Sequence, residues 1–538
     1  MLFGFALTAS LAASAAAANL ASLKINGPTS LPATASHRLK RSLGSFSIET
    51  AFFVEFVGNT SEPNTLTKNL LENLKARTGV PAEVRIGGIT ADSTYWNASL
   101  LDTPLFNAID SKGALQNTTI GPGFWESVKL LPEGTKITMN LDLQDLDFQG
   151  ALAVAKSAVD GLPAGQLVAF EIGNEPDHYL SFTPKSYTNV WTPWTVNISK
   201  ALGLTSPEFQ VAATVEDPIW PFDTPGASSA LDCVSILAAG GNSGNTIKSC
   251  SEHTYQYSVC DPPRIAVATL PNLVNHTRLG MYLDLWQPRI HAVRDQLGPH
   301  SFVIGEYNSV SCSGKDGVSN TFGQALWLLD TTFYAASLNV SQMFIHQGGP
   351  LALQSNVQLN HGGLSFYDLW YPVENQNGPV KVFPSYSAYL FVAEAIGHSE
   401  TIRIANLYPG RQTNGSTITT AGGDSSAGQL VAYGLWDDSA PSGTRAPTKL
   451  ALLNLQIFNQ TQTEARPSTI FDISDFVGKR TVRVRRLQAP GADVKGANVT
   501  AWAGQSFESG VSNGKLREER ISGGKITVQA SEAALIFL

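Results

Sequence analysis

Between residues 45 and 350, short runs rich in β-branched and apolar residues alternate with longer stretches of helical periodicity. The runs are 45–50 (SFSIET), 82–88 (AEVRIGG), 136–143 (KITMNLDL), 167–173 (LVAFEIG), 209–215 (FQVAATV), 246–255 (TIKSCSEHTY), 301–306 (SFVIGE) and 342–348 (QMFIHQG). Apolar strands separated by helices predict a parallel sheet covered on both faces. Eight of them in a segment of this length predict an α/β chain built on a (β/α)8 TIM barrel. A doubly wound open sheet is the alternative, but neither a G-x-G-x-x-G nor a P-loop motif accompanies it. Past a helix predicted around 386–396 the pattern changes to strict alternation broken by Gly, Ser and Asp. TKLALLNLQIF, RTVRVRRL and KITVQASEAALIFL then read as strands of an additional antiparallel β-sandwich domain. The stretch 21–35 (ASLKINGPTSLPATA) reads as a further strand, outside the barrel count and available to that sandwich. The expected division is a leader over 1–18, a sandwich strand within 19–44, the barrel over 45–375 and the sandwich over 376–538.

Composition narrows the class. Charged residues are only 15% of the 538 positions, against a usual ~25%, which excludes a disordered or coiled-coil chain. The net charge of −8 gives no reason to expect nucleic acid or an anionic membrane as the main partner. Residues 2–18 are apolar, small and Ala-rich, as in a signal peptide with A-x-A-type cleavage sites, and predict a secreted, extracellular protein. The alternative, a membrane anchor, needs ~20 strongly apolar residues, and no later segment is long enough either. Nine N-x-[ST] sequons, at Asn59, Asn97, Asn117, Asn197, Asn275, Asn339, Asn414, Asn459 and Asn498, agree with the secretory route. Cys233, Cys250, Cys260 and Cys312 contain no C-x-x-C, which argues against zinc; one or two disulfides are expected, with the pairing open.

Chemistry in such a barrel sits where the strands end and the βα loops converge. The fourth run ends in FEIGNEPD, carrying Glu175, and the seventh in IGEYN, carrying Glu306. A carboxylate directly after an apolar strand is costly to desolvate unless it is paired or used. Ion pairs closing the barrel would explain either one alone. Two of them, on strands that face each other across the mouth, match the demands of glycosidic cleavage. There one carboxyl group protonates the leaving oxygen, while the other attacks the anomeric carbon or activates water.

These motifs carry a resemblance. Asn174-Glu175-Pro176 on strand four with Glu306 ending strand seven is similar to the clan of retaining (β/α)8 glycosidases. SIETAF, RIGGITAD, FEIGNEPD, HTY and IGEYNSVSCSG, in that order, resemble glycoside hydrolase family 79, the β-glucuronidase and heparanase family, over most of residues 20–538. The resemblance implies a general acid/base at Glu175 and a nucleophile at Glu306. It further implies that Asn174 bonds the sugar 2-hydroxyl, that Tyr255 orients the nucleophile, and that Glu49 grips sugar hydroxyls, although the heparanase branch has Asp there. His346 ends strand eight and is a candidate to line the pocket, a structural core histidine being the alternative. The sugar carboxylate is expected to be held by backbone N–H groups of residues 311–314, Ser313 and Gly314 among them. Heparanase has tyrosine followed by glycines at this point, whereas this chain has Ser311, Cys312 and Ser313. A small-residue loop can still turn N–H groups towards an anion.

The expected activity is thus a secreted retaining exo-β-glucuronidase acting on terminal glucuronic acid, or its 4-O-methyl ether, in glycans. No cofactor, metal or obligate protein partner is expected. The alternatives are a heparanase-like endo-enzyme, disfavoured by the lack of a Lys/Arg run in the loops around the cleft, and a non-catalytic glycan-binding protein. The one basic cluster, 37–41 (HRLKR), precedes strand one and belongs at the barrel's far end.

Overall fold

The computed structural model describes residues 21–111, 114–215, 231–349, 365–374, 379–407, 429–439 and 446–538. Eight parallel strands close into a barrel: β1 (Gly44–Glu49), β2 (Val84–Gly87), β3 (Ile137–Leu141), β4 (Leu167–Ile172), β5 (Phe209–Thr214), β6 (Ile247–Thr254), β7 (Phe302–Tyr307) and β8 (Met343–Gln347). β8 pairs with β1 to complete the ring, Ile345 standing opposite Phe46. One main helix follows each strand: α1 (Thr65–Thr78), α2 (Pro122–Val128), α3 (Phe148–Gly161), α4 (Pro184–Leu202), α5 (Cys233–Ala238), α6 (Gln287–Leu297), α7 (Phe322–Ser337) and α8 (Tyr386–Ile396). The eight strands fall on the eight apolar runs. The expected leader lies outside the described residues.

Each barrel strand is buried on both faces, but the two faces differ in chemistry. Phe46, Ile48, Val84, Ile86, Ile137, Met139, Phe170 and Ile172 face the helices and form the apolar core. The alternate positions point inward and are polar: Arg85 donates to Ser47 (2.9 Å), Asn140 to Glu171 (3.2 Å) and Gln210 to Thr138 (3.2 Å). Period-two alternation is therefore present inside runs that look uniformly apolar, because the outer residues are large and the inner ones few.

α8 packs between α7 and α1 and completes the helical ring. Its burial is nearly complete, from Tyr386 through Ile396. The expected division at 375 falls ahead of this helix; the chain leaves the barrel only after Ile396.

Beyond it, antiparallel strands form a large sheet in the order Ile402–Asn406, Leu430–Asp437, Lys449–Asn454, Glu532–Phe537, Thr481–Gln488 and Ala501–Trp502, with Glu519–Ser522 also paired to Thr481–Gln488. A smaller sheet holds Ala21–Lys24 parallel to Ser468–Asp472, which pairs with Lys525–Gln529. Leu450, Leu452, Ala534 and Ile536 face the small sheet and share a core with its Phe471, Ile526 and Val528. Ala451, Leu453, Ala533 and Leu535 face the other way and join the barrel's core. The large sheet is thus apolar on both faces, one sealing the sandwich and the other the barrel.

Cys260 and Cys312 form a disulfide that ties the loop after β6 to the loop after β7, and Cys233 and Cys250 are buried free thiols. Asn275 departs from its sequon reading. Its side chain caps a helix by accepting from the Arg278 N–H and is buried, which removes it as a glycan acceptor in the folded chain. Asn97, Asn197 and Asn498 are exposed. Asn414 lies outside the described residues. Among the described residues no helix is long and apolar enough to cross a membrane.

Candidate active site

Glu175 does not sit on β4 itself but on the turn that leaves it. Gly173 and Glu175 both have positive φ (87° and 53°), and the Glu175 N–H donates to Ala213 O at the end of β5 (2.8 Å). A left-handed non-glycine residue is costly, and such strain gathers at functional positions held by their surroundings. Glu306 is the fifth residue of β7. A register shift between β6 and β7 sets His253 beside it. Carboxylate oxygens of Glu175 and Glu306 and a ring nitrogen of His253 all lie within 4.8 Å of one another. His253 Nδ1 is 2.9 Å from Glu175 Oε1.

Glu306 is enclosed by cations and donors. Arg85, fully buried on β2, gives its Nη1 to Glu306 Oε2 (2.8 Å) and its Nε to Glu171 on β4. Tyr255 OH donates to Glu306 Oε1 (2.7 Å), and His346 Nδ1 lies 3.5 Å from Oε2. Burial alone would push the Glu306 carboxyl up. His346, His253, Arg85 and the Tyr255 hydroxyl together outweigh that and hold it down at about 2. Burial likewise opposes the His346 charge, but Glu306 and Glu49 prevail and raise it. The set Glu175, His253, Glu306 has ligand-type atoms, yet Arg85 already supplies the cation that Glu306 needs. The arrangement suits proton transfer and nucleophilic attack.

A second layer fixes these groups. Asn174 Oδ1 accepts from Arg85 Nη2 (2.9 Å), and the Asn174 N–H donates to Asp92 Oδ2 (2.8 Å). Glu49, ending β1, accepts the Thr90 N–H (2.7 Å) and lies 3.2 Å from His346 Nε2. Gly88 makes this possible: its φ is +84°, and a Cβ there would meet the Glu49 carboxylate at 2.3 Å. Tyr367 packs its ring between those of Tyr255 (6.3 Å) and His346 (5.9 Å). Glu49, Asn174, Glu175, Tyr255, Glu306 and His346 therefore meet at one end of the barrel.

The loop after β7 uses one of its backbone donors on its own chain. Cys312, Ser313 and Gly314 have φ of 59°, 70° and 83°, a left-handed turn closed by the Gly314 N–H donating to Val310 O (3.0 Å). The Gly314 donor is spent inside the turn instead of facing a sugar carboxylate. Ser313 O accepts the Phe366 N–H (2.7 Å), so this residue anchors the segment that carries Tyr367.

Four participants escaped the sequence reading: Arg85, Glu171, His253 and Tyr367. Arg85 and Glu171 lie inside apolar runs, and a charge in mid-strand was a legible signal of a buried pair. His253 stands in the HTY motif two residues before Tyr255. Tyr367 lies in the long β8–α8 connection, where no spacing rule points to it.

Comparisons with known proteins agree along the chain. The family model described as glycosyl hydrolase family 79 C-terminal beta domain matches residues 432–535. A protein named Beta-glucuronidase from Aspergillus niger is 28% identical over 515 residues, covering 89% of this chain and 86% of its own. Its namesake from Neurospora crassa is 28% identical over 510 residues, covering 88% and 85%. Among solved structures, a 4-O-α-L-rhamnosyl-β-D-glucuronidase from Fusarium oxysporum superposes with a TM-score of 0.75 at 23% identity, covering 96% of this chain and 100% of its own. A GH51 arabinofuranosidase from Xanthomonas axonopodis superposes at 0.59 with 12% identity, covering 96% and 98%, and shares the fold. The C-terminal region thus matches the glycosyl hydrolase family 79 β domain, and the chain as a whole is similar to proteins named Beta-glucuronidase over nearly nine-tenths of its length.

Proposed function

We propose that this protein is a secreted, retaining exo-β-glucuronidase that removes terminal β-linked glucuronic acid, or its 4-O-methyl ether, from glycans. The observation that carries the reading is the carboxylate pair. Glu175 and Glu306 bring oxygens within 4.8 Å, close to the ~5–5.5 Å separation of carboxyl groups in retaining enzymes and short of the ~6.5–9.5 Å that inversion needs for an intervening water. The glucuronide part rests on the two relatives named Beta-glucuronidase, each matched over nearly nine-tenths of the chain.

In this reading Glu306, ionised down to low pH, attacks the anomeric carbon as Glu175 passes its proton to the leaving oxygen. Glu175, now a carboxylate beside His253, then takes a proton from the water that releases the sugar. Asn174, whose Oδ1 is held by Arg85, keeps its amide N–H groups for the 2-hydroxyl, and Glu49 with His346 meets the hydroxyls farther round the ring. The acid-selective contacts are assigned to the loop around Ser313 together with Tyr255 and Tyr367. Exo action on a carboxylated sugar suits the loops better than capture of a sulfated polymer. Arg264 and Lys315, which closely follow Cys260 and Cys312 in the chain, are turned to backbone carbonyls of Tyr255, Ile265 and Ala268.

The test is hydrolysis of p-nitrophenyl β-D-glucuronide followed by proton NMR. β-Glucuronic acid should form first, and an initial α-anomer would contradict the mechanism. With glucuronylated arabinogalactan the product should be free monosaccharide; shortened chains would mean endo action.

A further inference from the structure

A second feature lies on the barrel's flank, away from the catalytic mouth. α2 has seven residues where α1 and α3 have fourteen. The short helix leaves the side of α1 uncovered, and a cleft of about 760 Å³ opens between α1 and the connections leading into β3 and β4. Lys68, Glu72 and Lys75 share one face of α1 at helical spacing and line it. Lys129, Glu133 and Lys136 line it from the connection between α2 and β3. These connections enter the N-terminal ends of the strands, whereas Glu175 and Glu306 stand at the C-terminal ends.

The lysines are unequally compensated. Lys75 is 3.6 Å from Glu72, and Lys129 is 2.7 Å from Glu126. Lys136 instead donates to Gly165 O (2.6 Å), a neutral acceptor that fixes the ammonium without cancelling its charge. Lys68 is exposed and has no partner among the described residues. In a chain of net charge −8, a concave site with four ammonium groups and two carboxylates is a local reversal of sign. No aromatic side chain lines it among the described residues, so bases would find no ring to stack on.

We propose that this cleft is a second binding site for acidic glycan, holding a uronate-bearing stretch of the polymer through Lys68 and Lys136. The choice of ligand rests on the function proposed above; the cleft itself does not. Its role would be to keep the enzyme on the polymer while the mouth engages a chain end, by the arithmetic of two linked sites.

The experiment measures binding of glucuronylated arabinogalactan by calorimetry at low ionic strength, in Glu306→Gln protein so that the polymer is not consumed. Lys68→Glu and K68E/K136E in that background should weaken binding by about three- to tenfold, and the difference should vanish near ~0.5 M salt, as expected of screened charges. In otherwise wild-type protein the same changes should leave kcat/KM on p-nitrophenyl β-D-glucuronide unaltered, since that substrate is too small to reach both sites. Lys68→Glu alone keeps the test valid if the double variant folds poorly, because Lys68 is exposed. Polymer affinity unchanged by Lys68→Glu would overturn the proposal. So would tighter binding of a single-stranded oligonucleotide of matched charge, lost in the same variant. Failure to hydrolyse the nitrophenyl glucuronide would instead strike at the proposed function and leave the binding comparison readable.

Discussion

Glu306 and Glu175 are the same chemical group a few ångströms apart, yet their surroundings are opposite in kind. Glu306 lies within a strand, is almost wholly enclosed, and is met by a guanidinium, a phenol and an imidazole from three other strands or their ends. Glu175 lies on a strained turn, its side chain is 18% exposed, and its near neighbours are two histidines, His253 and His178. The first environment holds a charge in place. The second leaves the carboxyl group partly open to solvent. A rigid, cation-rich site suits a nucleophile, and a looser one with ionisable neighbours suits a group that serves as acid and then base.

The comparison breaks most directly at Glu306. Glu306→Gln should lower kcat by ~10⁴-fold or more on every substrate, good leaving groups included, since an amide cannot form the covalent bond that the proposed mechanism gives to Glu306. Pre-steady-state release of p-nitrophenol should disappear with it. Glu175→Ala should cost ~10²–10⁴-fold on glycans that need protonation, while glycosyl-enzyme formation from p-nitrophenyl glucuronide persists. Azide should then restore turnover and give the β-glycosyl azide; an α-azide would reverse the assignment of the two roles.

Arg85→Lys sharpens the contrast at smaller cost. Lysine keeps a positive charge but cannot reach Glu306, Glu171, Ser47 and Asn174 together, as the guanidinium does. A fall of about tenfold in kcat is expected. The acid limb of kcat/KM should move to higher pH, because a less stabilised Glu306 takes up its proton earlier. A limb that does not move would mean Arg85 only fills space.

The smallest effect is on stability. Burial pushes Asp92 up to about 8 and Asp142 up to about 7, from an ordinary 3.8. Each therefore favours the fold while protonated, fully below about 4, and that contribution fades as pH climbs towards 8. Glu306 runs the other way. Held at about 2 against an ordinary 4.5, its contribution is complete above 4.5 and fades as pH falls towards 2. The melting temperature should peak near pH 4.5 and decline on both sides, and Asp92→Asn should flatten the neutral side.

Much of this was legible in the sequence, for reasons that also mark where legibility ends. The barrel strands are short, apolar and regularly spaced because a parallel sheet must be covered on both sides, and that demand is written in every run. Glu175 and Glu306 stood out because a carboxylate immediately after such a run is costly to desolvate. Arg85 obeys the same rule but sits within its run, where the eye counts apolar neighbours and passes over the one charge. The end of the barrel was misplaced because α8 is separated from β8 by a long connection and is as apolar as the sheet strands beyond it. The direction of each donor in the turn at 312–314 could not be read from its residue types. Whether an N–H faces a ligand or its own chain depends on three successive dihedral angles, and small residues permit either.

The two-faced sheet has a consequence for the order in which the molecule is made. Its strand Glu532–Phe537 lies in the middle, between Lys449–Asn454 and Thr481–Gln488, and emerges after every other described strand. Ala533 and Leu535 from this strand help cover the barrel, while the strand at Ala21–Lys24 waits for Ser468–Asp472 before it has a neighbour. Chains fold from the N-terminus as they emerge, at ~5–20 residues per second. The barrel can therefore assemble early, but with an apolar flank open and a sheet missing its centre until Glu532–Phe537 has emerged. During that interval the nascent protein exposes apolar surface of the kind that chaperones bind, and deleting Glu532–Phe537 would leave the flank open for good.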